Sequence, residues 1–78
     1  MRVLLFAGLA EDLGCRELLW PDDELPPTAG QLEAALRDRE PRLRDRRFRM
    51  AVNRAYAAAG DPLSAADEVA LIPPVSGG

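Results

Sequence analysis

The residues best placed to do chemistry in this chain carry no reactive side chain. They are Pro73-Pro74-Val75-Ser76-Gly77-Gly78, the closing hexapeptide of the sequence. Two glycines bring a carboxylate to where no β-carbon fits. Pro73 and Pro74 bias the stretch before them to an extended, polyproline-like path, and Val75 is a single apolar handle. Fully extended, the hexapeptide reaches roughly 20 Å past the last strand, at about 3.3 Å per residue. A carboxylate is a poor electrophile, because attack on it must expel oxide. Joined to a nucleotide phosphate it gains a leaving group, and a sulfur nucleophile can then take the acyl carbon and leave a thiocarboxylate on Gly78. Ordinary terminal fraying also ends chains in small residues. The position of these glycines, behind a double proline and just past a predicted strand, favours the chemical account.

The remaining composition excludes most alternatives. The chain has 78 residues and no histidine, and Cys15 is its one cysteine. It therefore has no means for a histidine-based triad, an ordinary zinc site or an internal disulfide. All ten basic residues are arginine, so Schiff-base chemistry on a lysine is absent and the N-terminal amine is the one amine available for an isopeptide-like link. We expect no metal, no cofactor held by this chain and no catalytic side chain. No basic-then-apolar leader opens the sequence and no apolar run nears the ~18 residues of a membrane span. A cytoplasmic protein without membrane or nucleic-acid partners is the expectation.

The elements that must position the tail follow from pattern. Val3 to Ala7 is an apolar run that reads as a buried strand, ended by Gly8. Leu9 to Leu13 suits one helical turn, stopped by Gly14. Glu17 to Trp20 reads as a half-buried strand closed by Pro21, and Asp22 to Pro27 as an acidic loop. Thr28 and Gln31 form a capping-box signature. Leu32, Ala35 and Leu36 then lay an apolar stripe along a helix that Pro41 bounds. Phe48 to Val52 is a third strand, Asn53-Arg54 a turn, and Ala55 to Ala58 a weak return strand. Gly60-Asp61-Pro62 is turn chemistry, and Glu68 to Ile72 is the last strand. First and last strands that are apolar on both faces belong side by side and parallel in the sheet centre. The class is α+β: a β-grasp, ubiquitin-like roll, with a mixed sheet of four or five strands and one main helix packed across it. Residues 1–72 form that domain and 73–78 an extended tail ending in Gly-Gly.

With that order in place, the stretch from Ala51 to Gly78 resembles the small subunit of molybdopterin synthase. The shared features are Val52-Asn53, Pro62-Leu63, Asp67-Glu68-Val69 and the "PPVSGG" ending. Val3 to Gly14 resembles the same family's first strand and short helix. One departure is Ala66, where the family usually has glycine; alanine there implies a turn with ordinary dihedrals or some strain. The resemblance implies a sulfur carrier for molybdenum cofactor synthesis. Gly78 would be adenylated by a ubiquitin-activating-type adenylyltransferase that uses ATP, and a sulfurtransferase would supply sulfur for the thiocarboxylate. Pro73, Pro74, Val75, Ser76 and Gly77 would thread a tunnel in the synthase large subunit, which holds the pterin precursor and assembles as a heterotetramer with the carrier. Carriers for thiamine, tungsten cofactor or tRNA thiolation, and a ubiquitin-like protein modifier, share the tail chemistry.

Three other features have plainer readings. Cys15 lies between Gly14 and Arg16, and as a lone free cysteine it reads as inert filler rather than as a persulfide site. Arginines crowd positions 37 to 49, but Asp38, Glu40 and Asp45 interrupt them. Pairs such as Glu33 and Arg37 at i, i+4 make this a solvated face, with docking of an acidic partner the next reading and a nucleic-acid surface the least favoured. Phe6, Trp20, Phe48 and Tyr56 are core or edge packing, and a domain this small leaves some apolar strand surface uncovered. By the resemblance, that surface would dock the large subunit.

Overall fold

The structure is a computed structural model and describes residues 1–74. Its strands are β1 (Arg2–Leu5), β2 (Glu17–Leu19), β3 (Arg49–Val52), β4 (Ala55–Tyr56) and β5 (Val69–Ile72), with helices α1 (Ala7–Leu13) and α2 (Ala29–Arg39). Single 3-10 turns occupy Asp22–Glu24 and Pro41–Leu43. The sheet order is β2-β1-β5-β3-β4. β1 and β5 lie parallel, Leu4 opposite Ala70, and every other pairing is antiparallel. This is the expected β-grasp roll, with β5 at its centre and β1 beside it.

One face of the sheet meets the helices. Val3, Leu5, Met50, Val69 and Leu71 alternate onto that face and join Leu32 and Leu36 of α2 and Leu9 and Leu13 of α1 in a single core. Leu43, from the short turn after α2, is fully buried with them. Trp20 and Phe48 belong to this core, so two of the four aromatic side chains are packing residues, as expected.

Boundaries differ from the sequence reading at the first strand. β1 stops at Leu5, not Ala7, because Phe6 caps α1 and Ala7 turns the chain with φ 49. α1 is consequently a seven-residue helix rather than one turn. Gly14 ends it as expected, with φ 71 and its N–H donating to the Ala10 carbonyl at 2.9 Å. At α2 the capping box is incomplete. The Gln31 N–H donates to the Thr28 hydroxyl at 3.4 Å, but that hydroxyl donates back to Gln31 Oε1 at 3.1 Å. The glutamine side chain is thereby drawn away from the Thr28 N–H. The next helix donors find loop carbonyls instead: Ala29 donates to Asp61 at 2.9 Å and Gly30 to Ala59 at 2.8 Å.

That docking explains Gly30. A β-carbon there would lie 2.9 Å from the Ala59 β-carbon and 3.0 Å from its carbonyl oxygen. Alanine gains about 1 kcal/mol of helix propensity, but overpacking against backbone costs about 1–3 kcal/mol. Gly30→Ala is expected to lose about 1 kcal/mol net, read as a lower urea midpoint at unchanged slope; a raised midpoint would show that the loop yields freely.

The arginine-rich segment is more than a solvated face. Arg37 does pair with Glu33, at 3.4 Å. It also donates from Nη1 to the carbonyls of Leu43 at 2.6 Å and Arg46 at 2.8 Å, and lies 4.2 Å over the Phe48 ring. Arg44 donates to the Arg37 and Asp38 carbonyls at the end of α2. These bonds satisfy carbonyls in a segment without a ladder of its own and seat Leu43 in the core.

Candidate functional site

The second sheet face is bare, and its composition makes it a cradle. Leu4, Ala70, Ala51 and Tyr56 are cross-strand partners in one row from β1 to β4. Ile72 follows Ala70 on the same face, two residues along β5. Ala51 and Ala70 are only 5% and 8% exposed, although no helix covers them, whereas Tyr56 is 55% and Phe6 48% exposed. The larger side chains overhang the two alanines. The result is a depression of about 600 Å³ lined chiefly by Leu4, Phe6, Ala51, Tyr56, Ala70 and Ile72, with Arg54 and Glu68 at its rim. The exposed apolar side chains gathered around this depression make it the candidate docking surface. Of the four aromatics, Phe6 and Tyr56 are thus the exposed pair. Arg49 lies 3.9 Å over the Tyr56 ring and holds it on this face.

β5 delivers the tail to the edge of this cradle. Ile72 lines the cradle. Pro73 is half-buried and Pro74 exposed, and the two share a groove of about 560 Å³ with Ala7, Gly8, Arg46 and Arg47. The expectations for Val75, Ser76, Gly77 and Gly78 lie outside the described residues.

The motif residues of the β3–β4 turn hold the start of β5. Asn53 and Arg54 both have positive φ, 51 and 69, the mirror-image turn that a two-residue hairpin prefers. The Asn53 N–H donates to the Glu68 carbonyl at 2.8 Å, and its Oδ1 accepts from the Glu68 N–H at 2.9 Å. Its Nδ2 donates to Asp67 at 3.0 Å, and Asp67 also accepts from the Ser64 N–H at 2.8 Å. Asparagine thus meets both the positive φ and the bridge to β5. Ala66 keeps negative φ, so the departure from glycine costs no strain there. Leu63 donates to the Pro27 carbonyl at 2.9 Å and ties the same loop to the entrance of α2.

The Asp67 carboxyl is held below the ordinary carboxylate range, first by the Ser64 N–H and then by Asn53. Glu40 is held down too, chiefly by the Arg42 side chain and then by the Arg42 backbone. A depressed folded value means that each contribution is complete above the unfolded pKa and is lost as pH falls through the folded one. The melting temperature is expected to drop as pH falls below about 4, and Asp67→Asn to have a shallower acid limb than the parent. Identical acid limbs would show that the turn draws nothing from the charge.

Sequence reasoning passed over Ala51 and Ala70. The available signal was alanine in mid-strand, where β-branched residues are preferred, at two positions that only the register makes neighbours. Cys15 is half-buried; its N–H donates to the Ala10 carbonyl at 3.2 Å. No helix among the described residues is long and apolar enough to cross a membrane.

Comparison with known proteins covers nearly the whole chain. The model of the ThiS family matches residues 3–78. SAMP1 from Haloferax volcanii is similar at 34% identity and TM-score 0.73, over 99% of this chain and 97% of that one. A crystal structure of H. volcanii small archaeal modifier protein 1 is similar at 31% identity and TM-score 0.71, over 95% of each chain. A Pyrococcus furiosus protein designated molybdopterin converting factor, subunit 1, shares the fold at 22% identity and TM-score 0.74, over 95% of each chain.

Proposed function

The chain belongs to the ThiS family of ubiquitin-like sulfur carriers and modifiers, and from that membership we propose that it is the sulfur-carrier subunit of a molybdopterin synthase. One observation carries the reading: the central strand ends at Ile72, at the edge of an uncovered apolar cradle, immediately before "PPVSGG". A larger subunit seated on the cradle receives residues 73–78 as an arm directed into its own active site. Leu4, Phe6, Tyr56 and Ile72 supply the contact area, and Ala51 and Ala70 the depression for a protruding apolar side chain.

The chemistry is confined to the end of the arm. The Gly78 carboxylate attacks the α-phosphorus of ATP on an adenylyltransferase and expels pyrophosphate. The terminal sulfur of a persulfide on a sulfurtransferase attacks the acyl carbon and AMP leaves; a second thiol then attacks the S–S bond of the acyl disulfide, pairs with the sulfurtransferase sulfur as a disulfide, and releases the thiocarboxylate. On the large subunit that sulfur passes to the pterin precursor. The fold needs no catalytic side chain, cofactor or metal for any of this, and the reading places the protein in the cytoplasm.

A second reading is a protein modifier, favoured by the similarity to a protein named small archaeal modifier protein 1. The modifier joins Gly78 to target amines. Carriers for thiamine, tungsten cofactor or tRNA thiolation use the same arm. Intact mass of protein isolated from its native host separates these. Exchange of one carboxyl oxygen for sulfur adds about 16 Da and is the expected result, together with co-purification of a pterin-binding subunit. Heavier conjugates without that gain would replace the carrier reading with the modifier one.

A further inference from the structure

The arginines of this chain divide sharply by partner. Arg2, Arg37, Arg39, Arg42, Arg44 and Arg54 each have a carboxylate within 4 Å, and so does Arg46, with Asp12. Among the described residues, Arg16, Arg47 and Arg49 have none. These three are far apart in sequence, yet the topology brings all of them to one end of the sheet. Arg16 precedes β2, and its carbonyl accepts from the Leu5 N–H at 2.8 Å, where β1 ends. Arg49 opens β3 directly opposite Ile72, the last residue of β5, with its guanidinium over the Tyr56 ring and no carboxylate of the described residues against it. Arg47 lines the groove that holds Pro73 and Pro74, with Arg46 beside it. The acids on the two grooves that meet here are Asp12, committed to Arg46, and Asp45. Glu17, the next acid along β2, pairs with Arg2. In a chain of net charge −3, the root of the tail is therefore locally basic.

We propose that Arg16, Arg47 and Arg49 form a cationic collar that docks on carboxylates at the mouth of a protein channel that receives the tail. The inference rests on the sulfur-carrier reading. Its partner is the adenylyltransferase, which must engage the tail before sulfur does. Reach decides what the collar touches. Once Val75 to Gly78 are stretched into a partner, the tail end stands up to about 13 Å beyond Pro74. The reacting carboxylate then lies deeper than an arginine on the fold can follow, and the collar faces the partner's lip. Charges at such a rim act mainly on encounter and on its salt dependence, with little influence on the chemical step.

The test is ATP–pyrophosphate exchange by the same host's adenylyltransferase, with the whole chain as the varied substrate. Arg16→Glu with Arg47→Glu is expected to raise KM for the carrier about tenfold or more at low salt, with kcat within about twofold. The difference should shrink as ionic strength rises and shortens the screening length below about 10 Å. Arg47→Lys should keep most of the parent KM. Arg2→Glu, the same charge change at the opposite end of β1, should leave KM within about twofold. Each variant is checked for an unchanged melting temperature. Exchange with equal KM for the collar variant and the parent, or a KM change that salt does not reduce, overturns the collar and leaves the carrier reading standing. No exchange with the unaltered chain overturns both.

Discussion

Deleting Gly78 is expected to abolish molybdoenzyme activity in a host that depends on this chain, while the fold melts at its parent temperature. The size of the effect follows from reach. One residue fewer withdraws the carboxylate by about 3.3–3.6 Å. Misplacement by about 1 Å can already cost 10²-fold where reacting atoms must sit at near-attack distance, so a loss of at least about 10³-fold is expected for adenylation and for sulfur transfer alike. Stability is spared because the core ends with β5: Val69 and Leu71 are fully buried and Ile72 only partly so. Gly78→Ala keeps the reach and adds one methyl group, so it should retain more activity than the deletion. ATP–pyrophosphate exchange and complementation of a deletion strain read both variants. Parent-level activity after the deletion would mean that the reactive group is not the Gly78 carboxyl.

Filling the cradle should separate docking from folding. Ala70→Arg places a long side chain between Leu4 and Ala51, at the floor of the depression. The arginine stem must push the overhanging side chains aside before its head reaches water, so the unfolding free energy is expected to fall by about 1–3 kcal/mol with the fold retained. A partner that fits the open cradle would meet a charge and extra volume at its best-packed point. Truncations at such points cost 2 kcal/mol or more, and an obstructing charge costs at least as much. Affinity for the large subunit is expected to fall about 30-fold or more, measured by titration calorimetry. A folded Ala70→Arg protein that binds the large subunit like the parent would move the docking surface elsewhere, and Tyr56→Ala, which removes the opposite wall, gives a second reading of the same surface.

Much of this protein was legible from residue order alone. Alternation, the Gly14 stop, the Thr28 cap and the turns at Asn53-Arg54 and Gly60-Asp61-Pro62 specify which segments are strands and helices. Each of these rests on a local preference of one backbone stretch. The pairing of β1 with β5 also followed, because both are apolar without interruption. The boundary at Phe6 did not. An apolar run cannot say where a strand gives way to a turn, and here Ala7, without a glycine's freedom, takes the positive φ.

Sequence by itself specified what the arm is made of: its two prolines and its paired glycines are covalent facts. Tertiary structure decided what surrounds the arm. A period of two assigns residues to two faces but does not say which face the helices cover, so Trp20 and Phe48 could not be told from Phe6 and Tyr56 until Leu32 and Leu36 chose a side. The floor of Ala51 and Ala70 exists only through the register of β3 on β5. Arg16 and Arg49 reach the end of the sheet where β5 finishes because one parallel and two antiparallel pairings bring those strand ends together, and no local propensity encodes that meeting.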